Sequence, residues 1–242
     1  MPNYFVKSSA FSDENCVIDG EDFHHLVNVR RITTGVSLSL VDENEQLFDA
    51  TVQEVLSDRI VCSVTPKVLA TQPIFPVCLY AAVLKGKKFD TVIQKAVEIG
   101  VSQIVPVNTE RCVPDYGEKS HVKSIRWQRI AEEAAKQSLR TSVPDVADIM
   151  AFNHVIDSDK SNIRLIAHPA AALTFREYIK NISAPKSAAV LIGPEGGFSP
   201  NEIKHAQTMG WTLVSLDFPQ LRAETAAIVI PAVVIYELSG RK

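Results

Sequence analysis

The stretch Ala188–Glu202, A-A-V-L-I-G-P-E-G-G-F-S-P-N-E, indicates a buried strand, a glycine-rich turn and a helix start. The apolar run Ala188–Ile192 predicts the strand, and the three glycines that follow it allow a backbone to approach a ligand closely. Ser199, Pro200 and Glu202 form the pattern of a helix start with a capping box. The turn lacks the signatures of a phosphate loop and of a dinucleotide fingerprint. It is therefore either a tight structural turn or the wall of a binding site.

Around this stretch, predicted strands alternate with predicted helices, which indicates a parallel sheet covered on both faces. Ligands of such sheets bind beyond the carboxyl ends of the strands. The predicted strands are Val77–Leu84, Gln103–Val107, Ile163–Ala167, Ala188–Ile192 and Thr212–Leu216. The predicted helices are Phe89–Val97 with a stop at Gly100, Ser120–Leu139, Thr174–Ile182, Pro200–Met209 and Glu224–Leu238. In the long second helix, the residues expected on the buried side are Val122, Ile125, Ile130, Ala134 and Ala135.

The first 72 residues show short strands instead. Val36–Val41 alternates apolar and polar residues, as a half-buried strand does. A hairpin turn at Ser57-Asp58 and apolar residues at helical spacing in Glu21–Ile32 complete the pattern of a compact β-barrel-like module. Prolines surround the polar stretch Ala70–Gln72, the best candidate linker. We therefore predict two domains, residues 1–72 and residues 73–242.

The composition is that of a folded soluble protein, with 46% hydrophobic and 22% charged residues among 242. No apolar run approaches the roughly 18 residues that a membrane span needs, and the first residues lack the apolar stretch of a secretory signal. The four cysteines are far apart, which favours reduced thiols and a cytoplasmic protein. No metal site is expected, because His24 and His25 diverge by about 100° on a helix and no cysteines have paired metal spacing.

Charge is divided unevenly, although the net charge is only −3. Residues 1–72 carry 5 basic and 11 acidic side chains, whereas residues 85–140 carry 11 basic and 7 acidic ones. The basic side chains of residues 85–140 either bind RNA phosphates or form a solvated helical face.

Three further segments carry polar groups suited to a site. Lys85, Lys87 and Lys88 follow a predicted strand, where they could contact phosphate or form an exposed loop. In Ala134–Pro144 the residues Gln137, Ser138 and Arg140 offer hydrogen-bond donors. In Leu213–Ile235 the residues Arg222, Glu224 and Thr225 precede a nearly all-apolar helix, where they form a pocket wall or a solvated turn.

Taken together and in order, these segments resemble the RsmE family of 16S ribosomal RNA uridine-N3 methyltransferases, within the SPOUT superfamily. The similarity extends over nearly the whole chain. The residues that carry it are Tyr4-Phe5-Val6, His25, Val29-Arg30, Gly35, Lys85-Gly86, Asp90, Gln94-Lys95-Ala96, Glu98–Val101, Pro106, Arg111-Cys112, Trp127-Gln128, Ala134-Ala135, Gln137-Ser138, Arg140, Val143-Pro144, Ile192–Ser199, Leu221-Arg222 and Glu224-Thr225-Ala226.

The resemblance implies an N-terminal PUA-like β-barrel that helps to hold RNA, and a C-terminal α/β domain with a SPOUT-type trefoil-knotted parallel sheet and helices on both faces. It also implies a homodimer, S-adenosylmethionine as the cofactor, no metal, and 16S rRNA of the small ribosomal subunit as the partner, with no membrane or DNA partner. The cofactor-binding residues implied are Leu165, Ile166, Ala167, His168, Gly193, Pro194, Glu195, Gly196, Gly197, Phe198, Leu216, Leu221, Arg222, Glu224, Thr225 and Ala226. The predicted RNA-binding residues are Lys85, Lys87, Lys88, Lys95, Arg111, Gln137, Ser138 and Arg140.

The chain departs from the family pattern at a few positions. Asp217 stands where glycine is usual, Pro219 where arginine is favoured, and Asn3 where arginine is frequent. Lys136 and Leu139 stand where glutamate and glycine are more usual.

The expected mechanism aligns the methyl carbon with N3 and helps the N3 proton to leave. Arg222 is the candidate for stabilising negative charge on the uracil carbonyl oxygens. Glu195 and Glu224 are candidates for ordering the loops or for accepting the proton. Three alternatives remain: a SPOUT methyltransferase for another RNA nucleotide or atom, a non-catalytic RNA-binding assembly factor, and a Rossmann-type enzyme, which the missing fingerprint disfavours.

Overall fold

The computed structural model describes residues 2–67, 74–113, 120–180 and 182–239. The chain divides into two compact units. The first comprises Met1–Gln72 together with Ala135–Val143, and the second comprises Pro73–Ala134 and Pro144–Lys242. The predicted linker at Ala70–Gln72 lies outside the described residues.

The first unit contains a mainly antiparallel sheet. Its elements are β1 (Asn3–Phe5), β2 (Phe11–Ser12), β3 (Asn15–Ile18), α1 (Gly20–His24), β4 (Ser37–Val41), β5 (Leu47–Val55) and β6 (Ile60–Lys67). Among the described residues, the six strands follow the order β1-β4-β5-β6-β3-β2, and only the β1–β4 pair is parallel. The strands and the helical segment after α1 share a core that includes Leu26, Leu40 and Ile60. The predicted strand at Val36–Val41 and the predicted hairpin turn at Ser57-Asp58 are confirmed by β4, β5 and β6.

The predicted helix Glu21–Ile32 is shorter and less regular than expected. After α1, one π-helical segment covers His25–Val29, where the amide of Arg30 donates to the carbonyl of His25. Arg31 then adopts a positive φ of 51°. A residue with left-handed backbone ends a helix, so the chain leaves the helix before Ile32.

The second unit contains a parallel sheet. Its strands are β7 (Val77–Ala82), β8 (Gln103–Asn108), β9 (Asp145–Val146), β10 (Met150–Ala151), β11 (Ile163–Ala167), β12 (Ala188–Ile192) and β13 (Thr212–Val214). Its helices are α2 (Lys88–Glu98), α3 (Ser120–Gln137, of which the last three residues belong to the first unit), α4 (Phe152–Ser158), α5 (Phe175–Lys180), α6 (Pro200–Thr208) and α7 (Ala223–Leu238). The α/β class predicted from the alternation is confirmed.

The strand order differs from the order in the chain. Within the described residues, the path is β10-β8-β7-β12-β11-β13, with β9 beside β8, and every pair is parallel. One face packs on α4 and α6 through a cluster that includes Tyr80, Phe152 and Trp211. Alternate strand residues point to the opposite face, where α7 contacts β7, β12 and α2. After edge strand β13 the chain thus returns to the centre of the sheet.

The buried side of α3 differs from the prediction. The prediction that Val122 and Ile125 are buried is wrong, because these side chains are 67% and 47% exposed. Trp127 determines which face turns inward: its ring packs 4.7 Å from that of Phe89, and its indole N–H donates to Asp90 at 3.2 Å. One turn further on, the face continues through Ala131, Ala134 and Ala135, and the last two are buried as predicted. Burial of the large Trp127 ring, together with its hydrogen bond to Asp90, stabilises this helix orientation more than burial of Val122 and Ile125 would.

Several predicted ends also shift. β7 ends at Ala82 instead of Leu84, and β13 ends at Val214 because Ser215 makes only an isolated bridge with Thr174. Helix α3 ends at Gln137 because Leu139 has a φ of 59° and the amide of Arg140 returns to the carbonyl of Ala135. The short elements β9, β10 and α4 were not predicted, since two-residue strands and a seven-residue helix carry too few residues to show a period.

Candidate active site

A cavity of about 850 Å³ lies at the carboxyl ends of β11, β12 and β13. This is within the volume range of small-molecule sites, and it is the location that a parallel sheet predicts. The three loops that follow these strands supply nearly all of its walls. They contribute Ala167–Pro169 and Ala171, Ile192–Phe198, and Val214–Glu224, to which Lys88, Ala226 and Ile230 are added.

The glycine-rich loop after β12, residues Gly193–Phe198, is shaped by its own packing. A Cβ atom on Gly193 would lie 3.0 Å from the ring of Phe198, so the backbone there passes directly over a buried aromatic side chain. Gly197 has a φ of 67°, and its amide donates to the carbonyl of Pro194 at 2.9 Å, which closes a tight turn. Glycine at these positions therefore sets the path of the cavity wall.

The helix start predicted after this loop is confirmed. The amide of Glu202 donates to Ser199 Oγ at 3.3 Å, and the amide of Ser199 donates to Glu202 Oε2 at 2.7 Å. Pro200 occupies the first turn of α6. The capping box gives the loop a rigid end.

The other carboxylate oxygen of Glu202 binds a different segment. Glu202 Oε1 accepts a hydrogen bond from the amide of Glu110 at 2.8 Å. In the same segment, Arg111 Nη1 donates to the carbonyl of Gly196 at 3.0 Å. The segment after β8 is thus bonded to the glycine-rich loop and to the first turn of α6.

The last loop of the cavity combines an unusual backbone with a helix start. Asp217 has a φ of 54°, the left-handed region that glycine adopts most easily. Arg222 is the N-cap residue of α7, and its carbonyl accepts the amide of Ala226 at 2.8 Å. Arg222 is one of the residues that line the cavity.

Lys88 joins two acidic residues of the cavity wall. Its Nζ lies 3.4 Å from Glu195 Oε1 and 3.3 Å from Glu224 Oε1. A hydrogen bond from its own backbone N–H is the largest cause that holds the pKa of the Glu224 carboxyl below its ordinary value. Burial raises this pKa, and Lys88 and Arg222 lower it. Glu224 is therefore an ionised group at neutral pH.

Most residues implied for the cofactor lie together on the cavity wall. These are Ala167, His168, Gly193, Pro194, Glu195, Gly196, Gly197, Phe198, Leu216, Leu221, Arg222, Glu224 and Ala226. Leu165 and Ile166 are instead buried inside β11, and Thr225 is exposed on the first turn of α7. Lys88, which the sequence suggested for RNA, also lines the cavity. The sequence contained a signal for this position, because Lys88 stands where a helix begins after a strand, and ligands of parallel sheets bind there.

The residues predicted to bind RNA fall into separate places. Lys85 and Lys87 are exposed after β7, while Lys95 forms an ion pair with Glu98 at 2.8 Å. Gln137, Ser138 and Arg140 lie in the first unit, where the carbonyl of Arg140 accepts Asn3 Nδ2 at 2.9 Å. The predicted set is therefore not a single patch within one unit.

The residues that line the cavity fit a small zwitterionic nucleoside such as S-adenosylmethionine. Glycines admit close backbone contact, apolar side chains such as Phe198 and Ile230 give a dry wall, and the carboxylates of Glu195 and Glu224 suit a cationic group. Among the described residues, no three histidine, cysteine or acidic side chains are grouped as metal ligands. In the same part of the chain, every helix is too short or too polar for a membrane span.

Comparisons with known proteins agree with this geometry. The family described as RNA methyltransferase domain matches residues 70–235, and the RNA methyltransferase PUA domain matches residues 18–65. The ribosomal RNA small subunit methyltransferase E 2 of Borreliella burgdorferi is 32% identical over 225 residues, which cover 89% of this chain and 91% of that protein. The ribosomal RNA small subunit methyltransferase E of Bacillus subtilis is 27% identical over 252 residues, which cover 98% and 97%.

A solved structure is also similar over the whole length. The Neisseria gonorrhoeae ribosomal RNA small subunit methyltransferase E, bound to S-adenosyl methionine, has a TM-score of 0.84 at 26% identity and covers 98% of both chains. This likeness confirms the fold class expected for both parts of the chain. Because the RNA methyltransferase match spans more than half of the sequence and a relative above 30% identity spans most of it, this chain belongs to the RsmE family of RNA methyltransferases.

Proposed function

We propose that this protein transfers a methyl group from S-adenosylmethionine to N3 of a uridine in 16S ribosomal RNA of the small ribosomal subunit. The observation that carries the proposal is the cavity at the carboxyl ends of β11–β13, whose glycine-rich wall lies in a chain of the RsmE family. The named relatives act on small-subunit ribosomal RNA according to their names, and one solved relative binds the methyl donor.

The donor supplies an electrophilic methyl carbon on a sulfonium, so the protein has to position the uridine and stabilise charge. Arg222 lines the cavity at the N-terminus of α7, where its guanidinium and the helix dipole both favour negative charge. Negative charge develops on the uracil carbonyl oxygens as the N3 proton leaves. We therefore assign Arg222 the role of stabilising that charge.

The two carboxylates of the cavity have different roles in this proposal. The lowered pKa of Glu224 makes its carboxylate a weak proton acceptor. Its bond to Lys88 instead orders the first turn of α7 against α2. Glu195, in the glycine-rich loop, is then the candidate that accepts the N3 proton. A uridine would have to be unstacked to enter a cavity of this kind.

The proposed RNA contacts lie in both units. Residues 73–242 form the methyltransferase domain, in which the exposed Lys85 and Lys87 contact phosphate. Residues 1–72 form the PUA-like accessory domain, whose compact unit also contains Gln137, Ser138 and Arg140. Because the proposed substrate is ribosomal RNA, we infer that the protein acts in the cytoplasm.

A homodimer is part of the proposal. One face of α7 presents Thr225, Val229, Ala232 and Tyr236 at helical spacing, and none of the four is buried in the single chain. Tyr236 is 81% exposed. Aromatic and aliphatic side chains on one helix face are suited to a protein interface. Light scattering should give twice the chain mass, and Tyr236→Asp should give the mass of one chain if this face forms the interface.

The decisive experiment incubates the protein with isotopically labelled S-adenosylmethionine and small ribosomal subunits that lack the modification. Mass spectrometry of the nucleosides should then find label in N3-methyluridine. Label in a ribose-methylated or otherwise methylated nucleoside would instead indicate another RNA methyltransferase specificity. If calorimetry detects no binding of the donor and no nucleoside becomes labelled, the protein is a binding factor and the proposal is wrong.

A further inference from the structure

The turn that follows β8 is fixed to the central strands of the sheet. The amide of Cys112 donates to the carbonyl of Thr109 at 3.0 Å, and Thr109 Oγ1 donates to Cys112 Sγ at 3.3 Å. Cys112 Sγ in turn lies 3.6 Å from the carbonyl oxygens of Val83 and Val107, at the ends of β7 and β8. The backbone of residues 109–112 is therefore held by the rigid core of the second unit.

From this turn, two hydrogen bonds reach the glycine-rich loop Gly193–Phe198 and the helix start behind it. Arg111 Nη1 donates to the carbonyl of Gly196 at 3.0 Å. The amide of Glu110 donates to Glu202, the residue whose other carboxylate oxygen caps α6. Glu202 is only 8% exposed, so the Glu110 bond is made by a buried charged group and is correspondingly strong.

Arg111 also contacts the loop with its aliphatic carbons. A Cβ atom on Gly196 would lie 3.4 Å from Cβ and 3.7 Å from Cδ of Arg111. The backbone of the loop therefore rests on the stem of the arginine while the guanidinium binds its carbonyl. Long cationic side chains commonly combine packing of the stem with a polar contact of the head group.

We propose that Arg111 is a positioning residue for the glycine-rich loop, and not primarily an RNA contact. This inference rests on the proposed function at one point, because that function identifies the ligand of the loop as the methyl donor. A loop with three glycines loses much conformational entropy when it is ordered. By holding Gly196 before any ligand arrives, Arg111 removes part of this cost from donor binding.

The first measurement uses the ligand-free, full-length protein. Hydrogen–deuterium exchange of the backbone amides in residues 193–198 is compared between the wild type, Arg111→Met and Arg111→Lys. Methionine keeps the apolar stem but cannot donate a hydrogen bond, and lysine restores a cationic donor. Arg176→Met is the matched control, because Arg176 is an exposed arginine on α5 that does not line the cavity.

The second measurement is the dissociation constant of S-adenosylmethionine by calorimetry, with affinity for a small-subunit RNA fragment measured in parallel. For Arg111→Met we expect at least a fewfold faster exchange in the loop and roughly fivefold weaker donor binding, the scale of one lost ordinary hydrogen bond. Arg111→Lys should recover part of both effects. Arg176→Met should match the wild type, and RNA affinity should stay within about twofold in all variants.

Unchanged exchange of the loop in Arg111→Met overturns the inference, whether or not the donor binds. Wild-type donor affinity combined with a large loss of RNA affinity overturns it as well and returns Arg111 to the RNA contacts. If the wild type binds no donor, the proposed function fails, while the exchange data still decide whether Arg111 orders the loop.

Discussion

The ammonium group of Lys88 lies 3.3 Å from a carboxylate oxygen of Glu224 and so connects the first turn of α2 with the first turn of α7. The Lys88 side chain is 41% exposed and that of Glu224 21%, so solvent screens the attraction. A double-mutant cycle with Lys88→Met and Glu224→Gln should give a coupling of about 0.2–1 kcal/mol in the free energy of unfolding. Denaturant titrations measure it. A coupling indistinguishable from zero would show that the two groups do not interact in solution.

The lowered pKa of Glu224 predicts how stability depends on pH. Because the folded pKa lies below the ordinary value of 4.5, the ionised carboxylate stabilises the folded state above that pH. The contribution is lost as the pH falls through the folded pKa. The difference in unfolding free energy between the wild type and Glu224→Gln should therefore be constant near neutral pH and shrink below about pH 4.5. A difference that grows on acidification would contradict the assigned direction of the shift.

Leu139 and Asp217 occupy left-handed backbone positions, with φ of 59° and 54°. Leu139 follows the end of α3, the position that glycine usually takes in a helix cap. Leu139→Gly should stabilise the protein by about 1 kcal/mol, because the side chain is 57% exposed and loses little packing. The gain for Asp217→Gly should be smaller, since aspartate tolerates this conformation better than leucine.

Thermal and denaturant unfolding of Leu139→Gly and Leu139→Ala provide the comparison, because both variants remove the leucine side chain. Only glycine relieves the backbone strain, so Leu139→Gly should be the more stable of the two. The reverse order would mean that this residue does not adopt the left-handed conformation in solution.

Arg222→Ala should lower methylation by about a hundredfold or more, the typical cost of losing a group that stabilises transition-state charge. The fold should persist, because Arg222 is an exposed residue with no side-chain capping bond to α7. Initial rates with labelled donor measure the loss, and circular dichroism checks the fold. Wild-type turnover in this variant would remove Arg222 from the mechanism.

Glu195 and Glu224 can be distinguished by the same assay. Glu195→Gln should reduce kcat by about 10²-fold or more if its carboxylate accepts the proton, whereas Glu224→Gln should act mainly through donor affinity. The two variants are isosteric with the wild type, so packing changes are small. If Glu224→Gln lost kcat and Glu195→Gln did not, the roles would be exchanged.

Local patterns were sufficient for most of the second unit. Ala188–Ile192 and Ile163–Ala167 were predicted with the bounds that the strands have, because buried parallel strands are near-continuous apolar runs, interrupted here only by Arg164. The capping box at Ser199 could also be predicted from the sequence, since its partners Ser199 and Glu202 are three residues apart. Most of the predicted cofactor set lines one cavity because neighbouring parallel strands end at the same edge of the sheet.

Other features depend on contacts between distant segments. Nothing local indicates that Trp127 turns Val122 and Ile125 to the outside, because its partner Asp90 lies 37 residues earlier. The contact of Arg111 with Gly196 spans 85 residues, and in the sequence Arg111 resembled any other basic residue near a possible RNA surface.

The sequence by itself determined the alternation of strands and helices, the glycine-rich loop with its helix start, and the family, because these depend on residues close together in the chain. Only the tertiary structure decided the strand order, the bonding of Lys88 to two carboxylates, and the support of the loop by Arg111. Those features arise from packing between segments that are far apart in sequence, where periodicity and spacing contain no information about which groups meet.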